Sequence, residues 1–287
     1  MSFVVAGVTG KVGSVVAAGL LANGQKVKVL VRDAAKGAEW SKKGAEVAVA
    51  SLGDKDALAG ALAGARGFFV LLPLSFTAPD LYAYQREMSD GIAAAVKVSG
   101  VPHVVLLSSV GADLPDGTGP IKGLHYLENA LRATGTALTA IRAAAFQENV
   151  ASSLAPARNA GIFPNFMRSA DEPRPQIATK DIGALAASSL LEGGKTSENI
   201  DLHGPAYSMR QIAEKLGAAL GKTLKVVDIP PEAHVSTLVQ GGLPPHTAEV
   251  FAEMYRGIAS GAIAPRGDRR VEGKTPIDEV IQAVARS

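Results

Sequence analysis

Ser2-Phe3-Val4-Val5-Ala6-Gly7-Val8-Thr9-Gly10-Lys11-Val12-Gly13 follows the initial methionine. Residues 3–6 form an apolar run that reads as a buried strand. Glycines stand at 7, 10 and 13, and apolar residues then recur at Val12, Val15, Val16 and Leu20, the spacing of one helical face. Asn23-Gly24 ends that helix, and residues 26–31 supply a second apolar strand. Strand, glycine turn, helix and strand in this order are the context that a nucleotide-binding fingerprint requires. Gly7 lets the chain leave the strand sharply, Gly10 lets backbone approach a diphosphate, and Gly13 lets the helix lie close to the sheet. The free N–H groups and positive dipole end at the helix start then favour the anion. The spacing is GxxGxxG rather than GxGxxG, so the competing reading is a tight turn in any parallel sheet. The flanking strands and helix favour the nucleotide.

The second strand ends Leu30-Val31-Arg32-Asp33. In such folds an acidic residue about 20 residues past the glycines bonds the ribose 2′-hydroxyl of NAD, whereas an arginine accommodates a 2′-phosphate. Arg32 stands at that place, with Asp33 beside it and Lys36 nearby, so NADP(H) is expected over NAD(H). A solvated charge at a strand end is the competing reading of Arg32.

Outward from this unit the rhythm continues. A short helix over 34–43 leads to a strand at 46–50. Asp54 caps a helix to residue 62, and Gly64 stops it. Residues 67–73 form a fourth strand closed by Pro73, and a long helix spans about 79–99. A fifth strand lies at 103–109, a helix at 122–134 and a sixth strand at 137–142. Alternation of this kind requires a parallel sheet covered on both faces, and right-handed crossovers make it doubly wound. The expected fold class is therefore α/β, a doubly wound parallel sheet over residues 1–150 with a smaller mixed domain over 151–287. Prolines 156, 164, 173 and 175 make 151–176 read as loop with short irregular pieces. Beyond them come a helix to residue 191, a strand at 199–202, a helix at 208–220, a strand at 223–229 and a helix at 246–260. The stretch 177–203 is a candidate to pack back on the first domain.

Composition narrows the function. The absence of cysteine excludes disulfides, thiol catalysis and thiolate metal sites. A net charge of +2 supplies no basic field for nucleic acid or anionic membrane. No apolar stretch reaches the ~18 residues needed to span a bilayer. No leader-like segment precedes the first strand, so a cytoplasmic location is expected. The five histidines lack ligand spacing such as HxxxH, and no metal is expected. Neither G-x-S-x-G nor GxxxxGK[ST] occurs.

With Gly7, Gly10, Gly13, Arg32, Pro73, Ser108-Ser109 and Phe146-Gln147-Glu148-Asn149 in view, the chain resembles the NmrA-like group of atypical short-chain dehydrogenases/reductases. The likeness runs nearly end to end, through Leu124-His125-x-Leu127-Glu128-x-x-Leu131, Arg142, Thr179-x-Asp181-Ile182-Gly183 and His203-Gly204-Pro205. The resemblance implies a Rossmann domain in which Gly7, Thr9, Gly10, Lys11, Val12, Gly13, Arg32, Leu72 and Pro73 line the cofactor. It places the residues from Phe146 to Asn149 toward the nicotinamide end, and Ser108, at the carboxyl end of the fifth strand where open sheets bind ligands, is a further cofactor candidate. The group includes NADPH:quinone oxidoreductases and NADP-sensing regulators, and a fold alone does not choose between them.

Ordinary members of the wider superfamily use a Tyr-x-x-x-Lys pair, in which Lys lowers the phenol pKa so that Tyr donates a proton to a carbonyl. Four residues after Tyr82, Tyr84, Tyr126, Tyr207 and Tyr255 stand Arg86, Met88, Ala130, Gln211 and Ala259. The pair is absent, and Leu124 stands where many relatives in the resemblance keep a lysine. Quinone reduction asks less, because hydride transfer yields a delocalised phenolate that solvent or a weak acid protonates. Ser108, Ser109 and His125 are the candidate donors. A histidine bonded to backbone or water on a helix face, and a serine capping a loop, are their competing readings. The expectation is an NADP(H)-dependent oxidoreductase acting on a small quinone-like acceptor. A non-catalytic NADP(H) redox sensor is the alternative, and reduction of an aromatic carbon–carbon bond, as in phenylpropanoid ether reductases, is a third reading. No nucleic-acid or membrane partner is expected, and the chain is read as a monomer or homodimer.

Overall fold

Strands and helices alternate through residue 143 of the chain, of which a computed structural model describes residues 1–286. The strands are β1 (Phe3–Val5), β2 (Val27–Val31), β3 (Glu46–Val49), β4 (Gly67–Leu71), β5 (His103–Ser109), β6 (Ala137–Ala143), β7 (Ala145–Phe146), β8 (Ile162–Asn165), β9 (Arg174–Ile177), β10 (Glu198–His203), β11 (Ala206–Tyr207), β12 (Lys225–Asp228) and β13 (Arg269–Glu272). The helices are α1 (Lys11–Ala22), α2 (Ala38–Lys42), α3 (Lys55–Leu62), α4 (Leu81–Ser99), α5 (Ile121–Arg132) and α6 (Leu154–Ala160). They continue with α7 (Thr179–Glu192), α8 (Met209–Leu220), α9 (His234–Gln240), α10 (Pro245–Ala259) and α11 (Ile277–Ala285).

The main sheet has eight strands in the order β13-β10-β6-β5-β4-β1-β2-β3. All its pairings are parallel. The order reverses between β1 and β4, and ligands of open α/β sheets bind in the crevice that such a reversal opens at the carboxyl ends. Side chains alternate between faces along each strand. Phe3 and Val5 face Val16 and Leu20 of α1 with Ile182 and Leu190 of α7. Val4 faces the other layer, with Leu58 of α3, Ile92 of α4 and Leu127 of α5. A third core of Val150, Phe163, Ile212, Leu216, Ile277 and Ile281 holds the carboxyl part together. Beside it lie a three-stranded sheet β11-β9-β7 and a two-stranded sheet β12-β8. Among the described residues, no helix is long and apolar enough to cross a membrane.

The main sheet runs across residue 150. β10 pairs with β6 and β13 pairs with β10, so two of its strands come from the carboxyl half. α7 of that half lies along α1, where the two helices touch at glycines. A β-carbon at Gly183 would stand 2.5 Å from Val15 Cβ, and one at Gly19 would stand 3.3 Å from Ala187 Cβ. Carboxylates fasten the start of α7 on both sides. Glu148 accepts the Thr179 N–H at 3.0 Å and its hydroxyl, acting as a helix cap supplied from another segment. Asp181 accepts the Thr275 N–H at 3.0 Å and its hydroxyl at 2.7 Å.

Residues 151–176 carry more order than their prolines suggest. A 3₁₀ turn (Gln147–Ser153) leads into α6, then β8 and β9. Pro156 lies in the first turn of α6, where a missing N–H costs nothing, and Pro164 lies in the small β12-β8 sheet. The expected helix at 34–43 is a 3₁₀ turn (Ala34–Gly37) followed by the short α2. β13 carries no apolar alternation because it is an exposed edge strand, Arg269-Arg270-Val271-Glu272, and charge on an edge discourages further pairing.

The α1–α7 contact is tight enough to test directly. Gly183→Val is expected to cost roughly 1–3 kcal/mol through overpacking against Val15 and to lower the urea midpoint. Gly135→Ala, in a turn with open space around it, provides a comparison in which only backbone strain at positive φ contributes.

Candidate functional site

Gly7 has φ +68°, a left-handed conformation open to glycine, and a β-carbon there would meet Leu71 Cδ2 at 2.6 Å. Gly13 has no room for a side chain, since a β-carbon would lie 2.5 Å from the carbonyl oxygens of Ala6 and Gly7. Both glycines are therefore required by the fold itself. Gly10 differs. Its φ of −99° suits any residue, and a β-carbon would meet only Gly7 O, at 3.3 Å. Packing does not demand glycine at 10, which leaves close access from outside as its use. The turn is closed by the Gly10 N–H donating to Gly7 O at 2.9 Å.

No side chain caps α1, and its first turn holds no acidic residue. Thr9, Gly10 and Lys11 are exposed beside it, while Val12 is buried beneath. The N-terminal N–H groups thus face outward beside the β1/β4 reversal with no competing anion. This is the chemistry a diphosphate needs.

Arg32 leaves the carboxyl end of β2 exposed, with no hydrogen bond or ion pair among the described residues. Lys36 is likewise exposed. Asp33, the acidic alternative for a ribose hydroxyl, has one carboxylate oxygen taken by the Ala35 N–H at 2.9 Å, where it caps the 3₁₀ turn. The β2 end thus offers an unpaired guanidinium beside a carboxylate that has one oxygen engaged in its own turn. Leu72 and Pro73 follow β4 half-buried, and Leu72 packs against the α3–α5 layer.

At the end of β5 the two serines diverge because successive residues of a strand face opposite ways. Ser108 is buried toward α5 and donates to Glu128 Oε1 at 2.6 Å, so its hydroxyl serves an internal network. Ser109 is half-buried and donates to Val110 O at 3.1 Å. His125 uses both ring nitrogens within the protein. Nδ1 lies 2.9 Å from Ala112 O, and Nε2 lies 3.0 Å from the Asn129 side-chain amide. With Nδ1 carrying the proton, His125 donates to the carbonyl and accepts from Asn129. Tyr126, on the same helix, donates its hydroxyl to Asp90 of α4 at 2.6 Å.

Beneath this edge lie Glu128 and Arg142, two residues that the family resemblance contains without giving them a role. Arg142 of β6 makes a two-pronged contact with Glu128, Nε to Oε1 at 3.0 Å and Nη2 to Oε2 at 2.7 Å. The side chains are only 7% and 3% exposed, which makes this a buried ion pair. Burial alone would lower the Arg142 pKa, but the hydrogen bonds and charge of Glu128, with Asp113 and Asp201 behind them, raise it. A glutamate between Leu127 and Leu131 on an apolar helix face, opposite an arginine in an apolar strand, is the sequence signal that could have revealed the pair.

Phe146 packs half-buried against the α1/α7 layer at the end of β7. Asn149 is exposed, and its side-chain amide makes no hydrogen bond among the described residues. Between them Gln147 is buried and donates to Thr275 O at 2.9 Å, while Glu148 caps α7. The segment therefore presents residues 146 and 149 from a backbone anchored by 147 and 148. No group of three or more His, Cys, Asp or Glu among the described residues is placed to hold a metal ion.

The sequence profile of the NmrA-like family matches residues 2–286. The chain is 30% identical over 253 residues to the NAD(P)H azoreductase of Xenophilus azovorans, spanning 88% of this chain and 85% of that one. Its fold superposes on Citrobacter sp. triphenylmethane reductase complexed with NADP(H), with a TM-score of 0.81 at 20% identity, over 99% of this chain and 100% of that one. The NADPH-dependent quinone oxidoreductase of Escherichia coli complexed with NADPH gives 0.81 at 22% identity, over 98% and 99%. At these identities the two structures speak for the fold.

The buried pair makes a quantitative expectation. Glu128→Ala leaves the Arg142 guanidinium uncompensated in the interior and is expected to cost roughly 3–5 kcal/mol, read as a fall in denaturant midpoint. Loss below about 1 kcal/mol would show that water or Asp113 takes the place of Glu128.

Proposed function

Because the chain belongs to the NmrA-like family, we propose that it is an NADP(H)-dependent oxidoreductase that reduces a small quinone-like acceptor. The observation that carries the reading is the pairing of an open, uncapped glycine turn with the unpartnered Arg32. Backbone N–H groups from Lys11 to Gly13, with Thr9 and the Lys11 side chain at the rim, hold the diphosphate. Arg32, with Lys36 near it, neutralises the 2′-phosphate. Leu72 and Pro73 line the middle of the crevice, and Phe146 and Asn149 face its nicotinamide end. NADPH, when bound there, supplies the hydride. The relatives named above carry azo, triphenylmethane and quinone reductase names, which supports a conjugated acceptor.

This chain's own residues need do little acid chemistry. A reduced quinone leaves as a delocalised anion, and water reaching the crevice protonates it. His125 would have to give up Ala112 O to donate, and Ser109 its bond to Val110 O. The sensor reading draws on the same facts, since a site without a free acid suits binding as well as turnover. Steady NADPH oxidation with a panel of quinones supports the enzyme, and tight NADPH binding with no turnover across that panel supports the sensor.

Cofactor choice has its own test. Arg32→Ala is expected to weaken NADPH binding by about tenfold or more, the worth of a charge-assisted contact, and to leave NADH binding unchanged. Fluorescence titration with both nucleotides reads the difference. An equal change for the two would remove Arg32 from the argument.

A further inference from the structure

α10 lies across the loops that leave the carboxyl ends of β4 and β5. Glu253 accepts the Tyr82 hydroxyl at 3.1 Å from the start of α4 and the Gly119 N–H at 3.3 Å from the β5–α5 loop. A β-carbon at Gly119 would lie 2.8 Å from Met254 Cβ, so loop and helix are in direct contact. Glu253 and Met254 thus point α10 at these loops, and Phe251 and Tyr255, four residues apart, share a neighbouring face.

That face carries two stacked aromatic pairs. Phe251 stacks on Phe76, with centroids 6.2 Å apart and an interplanar angle of 19°. Tyr255 stacks on Phe166 at 5.0 Å and 11°, with His234 edge-on to both rings. The first pair is unlike core packing. Phe76 is 48% exposed and Leu74 is 37% exposed. Both sit on the segment that leaves β4 just past Leu71, whose side chain lies against Gly7. Two large apolar residues left open to water, continuous with the end of β4 beside the glycine turn, mark a surface for an apolar ligand rather than a finished core. The Tyr255 hydroxyl has no hydrogen-bond partner among the described residues, so this row also carries one polar handle.

We infer that Phe76 and Phe251, extended by Tyr255 and Phe166, form the wall against which the planar ring system of the acceptor stacks. This selects flat aromatic acceptors of two or more rings over small aliphatic ones. Stacking of rings contributes through offset faces, and ring exposure on Phe76 leaves such a face open. The inference rests on the acceptor reading proposed above and identifies the residues that set its specificity.

The test is equilibrium binding of 2-methyl-1,4-naphthoquinone to the full chain saturated with NADP⁺, in which no turnover occurs. Phe76→Ala changes a half-exposed residue, and Phe251→Leu keeps apolar bulk while removing the ring. Each is expected to weaken naphthoquinone binding by about five- to tenfold. The NADP⁺ dissociation constant is expected to stay unchanged. Wild-type affinity for the naphthoquinone in both variants would overturn the aromatic wall and leave the acceptor reading standing. A wild-type protein that binds NADP⁺ and takes up no naphthoquinone would overturn the acceptor reading, and the wall with it.

Discussion

The approach of α1 to the end of β1 governs the rest of the molecule. At Gly13 the helix backbone runs so close to the Ala6 and Gly7 carbonyls that a single methyl group would collide with both. That proximity aims the uncapped start of α1 at the gap between β1 and β4, where the strand order reverses. Partial positive charge at a helix start falls off within one turn, so it serves an anion only if the helix is held at this distance. The left-handed bend at Gly7 and the bond from Gly10 to Gly7 complete the geometry locally.

The bend does not stand alone. α7 presses along α1 at Gly183 and Gly19, and its own start is pinned by Glu148 on one side and by the Asp181–Thr275 contact on the other. The cradle is thus braced from the carboxyl half of the chain, the half that also carries α10. The glycine turn and the segment from Phe146 to Asn149 share one set of supports.

The Ser108–Glu128–Arg142 network does a different job. Exchanging a buried ion pair for apolar side chains of the same volume is often no loss in stability, while breaking one partner away is costly. Such a pair is therefore weak evidence of added stability. Here it locks α5 to β5 and β6 at the carboxyl edge of the sheet. It also explains why Ser108, read from its place at the carboxyl end of the fifth strand as a cofactor residue, spends its hydroxyl inside the protein. His125 follows the same logic, with a backbone carbonyl and Asn129 taking both ring nitrogens.

What was legible in the residues alone is what depends on neighbours a few positions apart. The strands β1 to β6, the helices between them and the positions of Gly7, Gly13 and Arg32 follow from periodicity, turn chemistry and spacing, all short-range properties of the chain. Tertiary structure decided what depends on distant partners. β10 and β13 join the main sheet from beyond residue 150, and α7 braces α1. Glu128 finds Arg142, and Phe76 finds Phe251 on a helix from the other half. Side chains far apart along the chain meet because layers pack, and no local pattern encodes which of several apolar or charged groups will be the one they meet.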